Sequence, residues 1–153
     1  GLADGQTGKK YCREGGKEVL EAVFHFISDK GITQMSQYEH IDELQYELIR
    51  VVRETISKMA SNKQVEKAEY ASTLVVLAYD TYTGNYAIIH LGDGSIIGRK
   101  KDGGISMLSS PENGPQAAKN NPADCFLVRG RWTHGSPRST TSFKDWIWLH
   151  SRF

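Results

Sequence analysis

Apolar positions cluster most densely in the middle of the chain. Residues 70–79 (YASTLVVLAY) form a nearly continuous apolar run rich in Val, Leu and Tyr. A strand this apolar has no solvent face, so the run predicts a central strand buried on both sides. Residues 80–85, Asp-Thr-Tyr-Thr-Gly-Asn, are turn chemistry, with Gly84 and Asn85 able to take positive φ. Residues 86–91 then return as a second strand of a hairpin. Gly92-Asp93-Gly94 predicts another tight turn, residues 95–100 a third strand, Asp102-Gly103-Gly104 a third turn, and residues 105–109 a fourth strand. The expectation is an antiparallel meander of four short strands.

Upstream the period changes to that of helices. In residues 13–30, Val19, Leu20, Val23, Phe24 and Ile27 recur at helical spacing, with Lys17, Glu18 and Glu21 opposite and Gly31 placed to end the helix. A second, longer helix is expected from Ser36 to about Ser61. Ser36-Gln37-Tyr38-Glu39 reads as its capping box. Ile41, Leu44, Leu48, Val51, Val52, Ile56 and Met59 form its buried stripe, and Glu43, Glu47, Arg50 and Glu54 its solvent face. Two amphipathic helices beside an antiparallel sheet make an α+β domain, in which each apolar stripe needs a sheet to cover.

A chain of 153 residues with net charge +1 has the length and charge of one globular domain. No apolar span is long enough for a membrane helix, and no signal-peptide pattern is present. Cys12 and Cys125 stand in no metal-like spacing, which fits a reducing, cytoplasmic setting. The composition is uneven. Residues 1–114 hold 13 Lys/Arg against 16 Asp/Glu, a net of −3, whereas residues 115–153 hold 6 against 2, a net of +4. All four prolines and all three tryptophans lie beyond Ser110. Basic residues among tryptophans are one signature of single-strand nucleic-acid binding, but the near-neutral total charge argues against it. No nucleic-acid or membrane partner is expected.

The candidate chemistry lies at turns. Residues 1–8, GLADGQTG, are a short apolar lead-in followed by a glycine-bearing turn, so Asp4 falls at the end of a short strand, where ligands commonly bind. An Asp-Gly pair is also ordinary turn chemistry, and the residues alone leave both readings open. His25 has no partner at metal spacing and reads as a surface or packing histidine. Glu39, His40 and Glu43 read as a solvated helix face. Gly92-x-Gly94-x-x-x-Gly98 is one residue too long for a dinucleotide fingerprint and lies between two strands, with no helix N-terminus to take a pyrophosphate.

The order of these features is distinctive. A strand ends in Ala3-Asp4-Gly5, a glycine-bearing loop and two helices follow, and Ala71-Ser72-Thr73 opens a hairpin whose next turn is Gly92-Asp93-Gly94-Ser95. This order resembles the metal-dependent protein serine/threonine phosphatases of the PP2C (PPM) type over roughly the first three-quarters of the chain. The resemblance implies an αββα sandwich, here partial, with antiparallel strands packed against two long helices and the metals at one end of the sheet pair. It implies Mn²⁺ or Mg²⁺, two ions in the intact family, and a phosphorylated protein substrate. By the same resemblance, Asp4 is the carboxylate that bridges the two ions, Gly5 supplies a carbonyl, and Asp93 belongs to a further, weaker metal position. No catalytic group beyond the metal ligands is implied, because a metal-activated water makes the attack.

The departures are specific. The family's later aspartates sit in Asp-Gly and Asp-Asn or Asp-Asp pairs, whereas this chain offers Asp124 before Cys125 and Asp145 before Trp146. The chain opens at Gly1 in mid-motif, so preceding sequence is expected to be missing. Residues 1–114 therefore read as a partial PP2C-like domain, and residues 115–153 as a divergent tail, non-native or disordered, as a truncation or frame change would produce. With few carboxylates, weak or absent activity is expected. The competing reading is a non-catalytic relative that binds a phosphoprotein or a partner helix.

Overall fold

A computed structural model describes residues 1–36, 41–92, 95–100, 103–109, 133–135 and 146–148. Helix α1 spans Cys12–Lys30, α2 Ile32–Ser36 and α3 Ile41–Lys63, followed by a 3₁₀ turn at Lys67–Tyr70. The strands are β1 (Leu74–Tyr79), β2 (Tyr86–Leu91), β3 (Ile96–Lys100), β4 (Ile105–Ser109), β5 (Thr133–Gly135) and β6 (Trp146–Trp148). No helix among the described residues is long and apolar enough to cross a membrane.

The strands do not form one meander. They divide into two antiparallel sheets ordered β1-β2-β5 and β4-β3-β6. The hairpins β1-β2 and β3-β4 form as expected, but β2 takes β5 as its second neighbour and β3 takes β6. Side-chain alternation explains why both sheets are needed. In β1, Leu74, Val76 and Ala78 pack with Ala87, Ile89 and Leu91 of β2 against the helices. On the opposite face Val75, Leu77, Tyr86 and Ile88 meet Ile96 and Leu108 of the second sheet. The unbroken apolar run thus has two faces to bury, one under helices and one under a sheet. Each fully buried aliphatic side chain, such as Val76 or Ile88, contributes about 1.5–3 kcal/mol. His90 is the one buried polar side chain among the described residues, and it alternates onto the face between the sheets.

The first strand begins later than its hydrophobicity predicts. Tyr70 ends the 3₁₀ turn instead of opening β1. Its ring is fully buried, stacks on Tyr11 at 5.5 Å and donates its hydroxyl to the Met59 carbonyl at 3.2 Å. Tertiary packing overrides its strand propensity here. Burial also raises the Tyr70 pKa. Lys63 closes this end of the helix pair. It is hydrogen-bonded to Glu14, which raises its pKa, and it lies 4.4 Å over the Tyr11 ring.

Helix α1 ends at Gly31, with φ 75° and its N–H donated to the Ile27 carbonyl at 2.9 Å. Its stripe is shifted from the predicted one. Phe26 is buried beside Val19, Val23 and Ile27, whereas Phe24 is 45% exposed. Phe24 lies on the flank with Leu20, against the Gly1 backbone. The long second helix is described from Ile41 as α3, and a short helix α2 ends at Ser36, the expected start of the second helix. The capping box lies outside the described residues at 37–40. The stripe on α3 holds at Leu44, Leu48, Val52 and Ile56. Glu47 is not simply solvated: it pairs with Lys30 at 2.6 Å, tying the end of α1 to α3. Ser95 falls just outside β3, and only Gly84 of the first turn takes positive φ. In that turn Asp80 accepts hydrogen bonds from the Tyr82 and Thr83 backbone and from the Thr83 and Thr33 hydroxyls. Those bonds, the Thr83 hydroxyl's first, hold its pKa down at about 2.

Candidate functional site

Residues 2–6 run antiparallel to residues 71–75 and add a short edge to the first sheet. Leu2 and Val75 exchange both backbone bonds at 2.7 and 2.8 Å, the Thr73 N–H donates to the Asp4 carbonyl at 2.8 Å, and Gln6 N–H to the Ala71 carbonyl at 3.0 Å. These bonds flank the bridge between Gly5 and Ser72. Gly5 is therefore in a non-hydrogen-bonded pair, and its own carbonyl points off the sheet edge.

Alternation fixes the faces. Ala3 packs into the helix-side core. A Cβ on Gly5 would fall 2.5 Å from the Cys12 sulfur, so Gly5 also faces α1 and has no room for a side chain. Asp4 lies on the opposite face, the one shared with Thr73, Val75 and Leu77, and is exposed at the open end of the space between the sheets.

The register then places two separate motifs side by side. Asp4 lies abreast of Thr73 on one flank. On the other, β1 and β2 pair from Leu74↔Leu91 onward, which puts Gly92 abreast of Thr73. Contact confirms that position, because a Cβ on Gly92 would fall 2.7 Å from Thr73 Cγ2. Asp4, Thr73 and Gly92 thus stand in a row at one end of the sheet. Asp93, the third residue expected at a metal, lies outside the described residues, as do Asp124 and Asp145; its neighbour Gly92 is in the row.

The sequence profile of the family described as Protein phosphatase 2C matches residues 2–121. The chain belongs to the PP2C family. No curated protein and no solved structure matches it. PP2C proteins are generally metal-dependent and act on phosphoprotein substrates. The two helices and two small antiparallel sheets are compatible with a partial PP2C fold. The PP2C match ends within the region where charge and proline usage change. Two short strands beyond it, β5 and β6, pair with β2 and β3.

The donors present suit a PP2C metal in kind. A carboxylate at Asp4 and an outward carbonyl at Gly5 are hard oxygen ligands of the sort Mg²⁺ and Mn²⁺ take. In number they fall short: among the described residues no three His, Cys, Asp or Glu side chains converge on one point. Thr73 was legible as part of the Ala71-Ser72-Thr73 motif but not as a neighbour of Asp4. The signal for that lies in the shared register of two strand pairs, which no local pattern carries.

Proposed function

We propose that the chain is a PP2C-type protein serine/threonine phosphatase domain with an attenuated metal site, in which Asp4 and Gly5 offer the strand-end ligands and Asp93 the neighbouring carboxylate. The observation that carries this reading is the row Asp4–Thr73–Gly92 at the open end of the space between the sheets. It sets the Asp-Gly strand end one strand away from Gly92, the first residue of the Gly-Asp-Gly motif, from positions far apart in sequence.

The residues divide the work simply. Asp4 would hold Mn²⁺ or Mg²⁺ by its carboxylate and Gly5 by its carbonyl, both on a backbone pinned to β1. Bound ions would supply an activated water and a clamp for the phosphoryl oxygens of a phosphoprotein. No nucleophilic side chain is assigned. A site with so few carboxylates compensates poorly for the dehydration of Mg²⁺, so a dissociation constant of about 1 mM or weaker is expected.

A second reading, a non-catalytic relative that binds a phosphoprotein, is favoured by Asp124-Cys125 and Asp145-Trp146, which depart from the family's aspartate pairs. Calorimetry of the full chain with Mn²⁺, beside hydrolysis of a phosphopeptide, separates the two. Weak binding and slow hydrolysis, both abolished in Asp4→Asn, support the attenuated phosphatase. No binding by the unaltered chain favours the non-catalytic relative, and robust turnover overturns the attenuation.

A further inference from the structure

Thr73 holds together the two strand ends of the proposed site. Its backbone N–H donates to the Asp4 carbonyl at 2.8 Å. In a regular antiparallel pair the return bond would run from the Asp4 N–H to the Thr73 carbonyl. Here the Asp4 N–H donates instead to the Thr73 hydroxyl oxygen, at 3.3 Å. A backbone bond that any residue could accept has become one that needs a side-chain acceptor at this position. The other branch of the same side chain reaches the opposite neighbour. The methyl and Cβ lie so near Gly92 that an added Cβ there would sit at 2.7 and 2.9 Å from them.

We propose that Thr73 is a positioning residue of the metal site. Its hydroxyl sets the backbone of Asp4, and its methyl sets the spacing to Gly92. The role rests on the metal-site reading above. Its chemical requirement is a β-branched hydroxyl: oxygen toward the edge segment, methyl toward β2.

The test uses the full chain and two variants. Thr73→Val keeps the shape and removes the acceptor; Thr73→Ser keeps the acceptor and removes the methyl. Mn²⁺ affinity is measured by calorimetry, and amide hydrogen exchange at Asp4 by NMR without metal. Thr73→Val is expected to speed exchange at Asp4 by about fivefold, as the loss of one hydrogen bond implies, and to weaken Mn²⁺ binding by a similar factor. Exchange at Leu2 and Val75 should stay near the original rate, and Thr73→Ser should restore Asp4 protection. Unchanged exchange at Asp4 in Thr73→Val, or equal loss in Thr73→Ser, overturns the hydroxyl's role. Faster exchange with unaltered Mn²⁺ affinity overturns the link to the metal. If the unaltered chain binds no Mn²⁺, the metal-site reading falls by itself, and Asp4 exchange alone decides whether Thr73 sets that backbone.

Discussion

Replacing Gly15 by Ala sets two opposed effects against each other. Gly15 lies in the first turns of α1, where Ala is the better helix former by about 1 kcal/mol. On propensity alone the variant would gain stability. The structure reverses that sign. A Cβ at position 15 would fall 2.6 Å from the Tyr70 carbonyl oxygen, 2.8 Å from Tyr70 Cβ and 3.1 Å from Tyr70 Cα. Two of those are backbone atoms of the 3₁₀ turn, and Tyr70 is fully buried, so no flexible side chain can swing away. Relief requires α1 to move off the turn, and overpacking of this kind costs about 1–3 kcal/mol, at the upper end when backbone must shift. Subtracting the propensity gain leaves a net loss of about 1–2 kcal/mol, or about 2–8 °C in Tm for a domain of this size. Gly16→Ala is the internal control. It gains the same propensity, but the nearest atoms to its Cβ would be the Ala3 methyl at 3.1 Å and the Ser72 side chain at 3.6 Å. The edge segment can yield by a few tenths of an ångström there, so stability should stay within about 0.5 kcal/mol of the original. Urea denaturation of the three proteins measures both values. A Gly15→Ala variant as stable as the unaltered chain, or no less stable than Gly16→Ala, would refute the close packing of α1 on the turn.

Two further outcomes are expected. Asp80 has a folded pKa of about 2, against about 3.9 in an unfolded chain. Its contribution is therefore present above pH 4 and lost as pH falls toward 2. Asp80→Asn should flatten the stability profile in that window, and acid titration of both proteins by circular dichroism checks it. Tyr70→Phe removes the hydroxyl donated to the Met59 carbonyl and should cost about 1 kcal/mol at neutral pH. The raised Tyr70 pKa favours the folded state below pH 10 and is lost above it. That variant should therefore lose less stability between pH 9 and 11 than the unaltered chain, as read by denaturation at each pH.

The parts of the fold legible in the sequence are those set by local chemistry. Strands β2 and β4 fall where turn residues bracket short apolar segments, and α1 ends where Gly31 permits a positive φ. What was not legible depends on partners distant in the chain. Nothing within residues 86–100 tells β2 to pair with β5 and leave β3 to a second sheet. The doubly apolar β1 was consistent with any cover on its two faces, and only the assembled structure shows helices on one and a sheet on the other. Phe24 and Phe26 are two residues apart on one helix; Phe26 is buried in the core, whereas Phe24 lies half exposed beside Gly1. At the site, the Asp4-Gly5 pair was readable as a motif. Its neighbourhood was not, because Gly92 reaches it only through two strand pairings that share Thr73.

That shared strand makes the site a consequence of the core. Leu74, Val76 and Ala78 must face the helices while Val75 and Leu77 face the second sheet, so the register of β1 is specified from both sides. The edge segment inherits the same constraint through Ala3, which packs against α1 at Gly16. A one-residue slip of residues 2–6 would exchange the faces of Ala3 and Asp4. It would drive a carboxylate against the helix where only a methyl fits, and it would take Asp4 away from the face it shares with Thr73. Burying an unpaired carboxylate in that way costs several kcal/mol. The packing that stabilises the domain therefore also aims Asp4 outward beside Thr73 and Gly92. Substitutions that loosen Ala3 or Gly16 should act on the proposed metal site through the edge segment, without touching Asp4 itself.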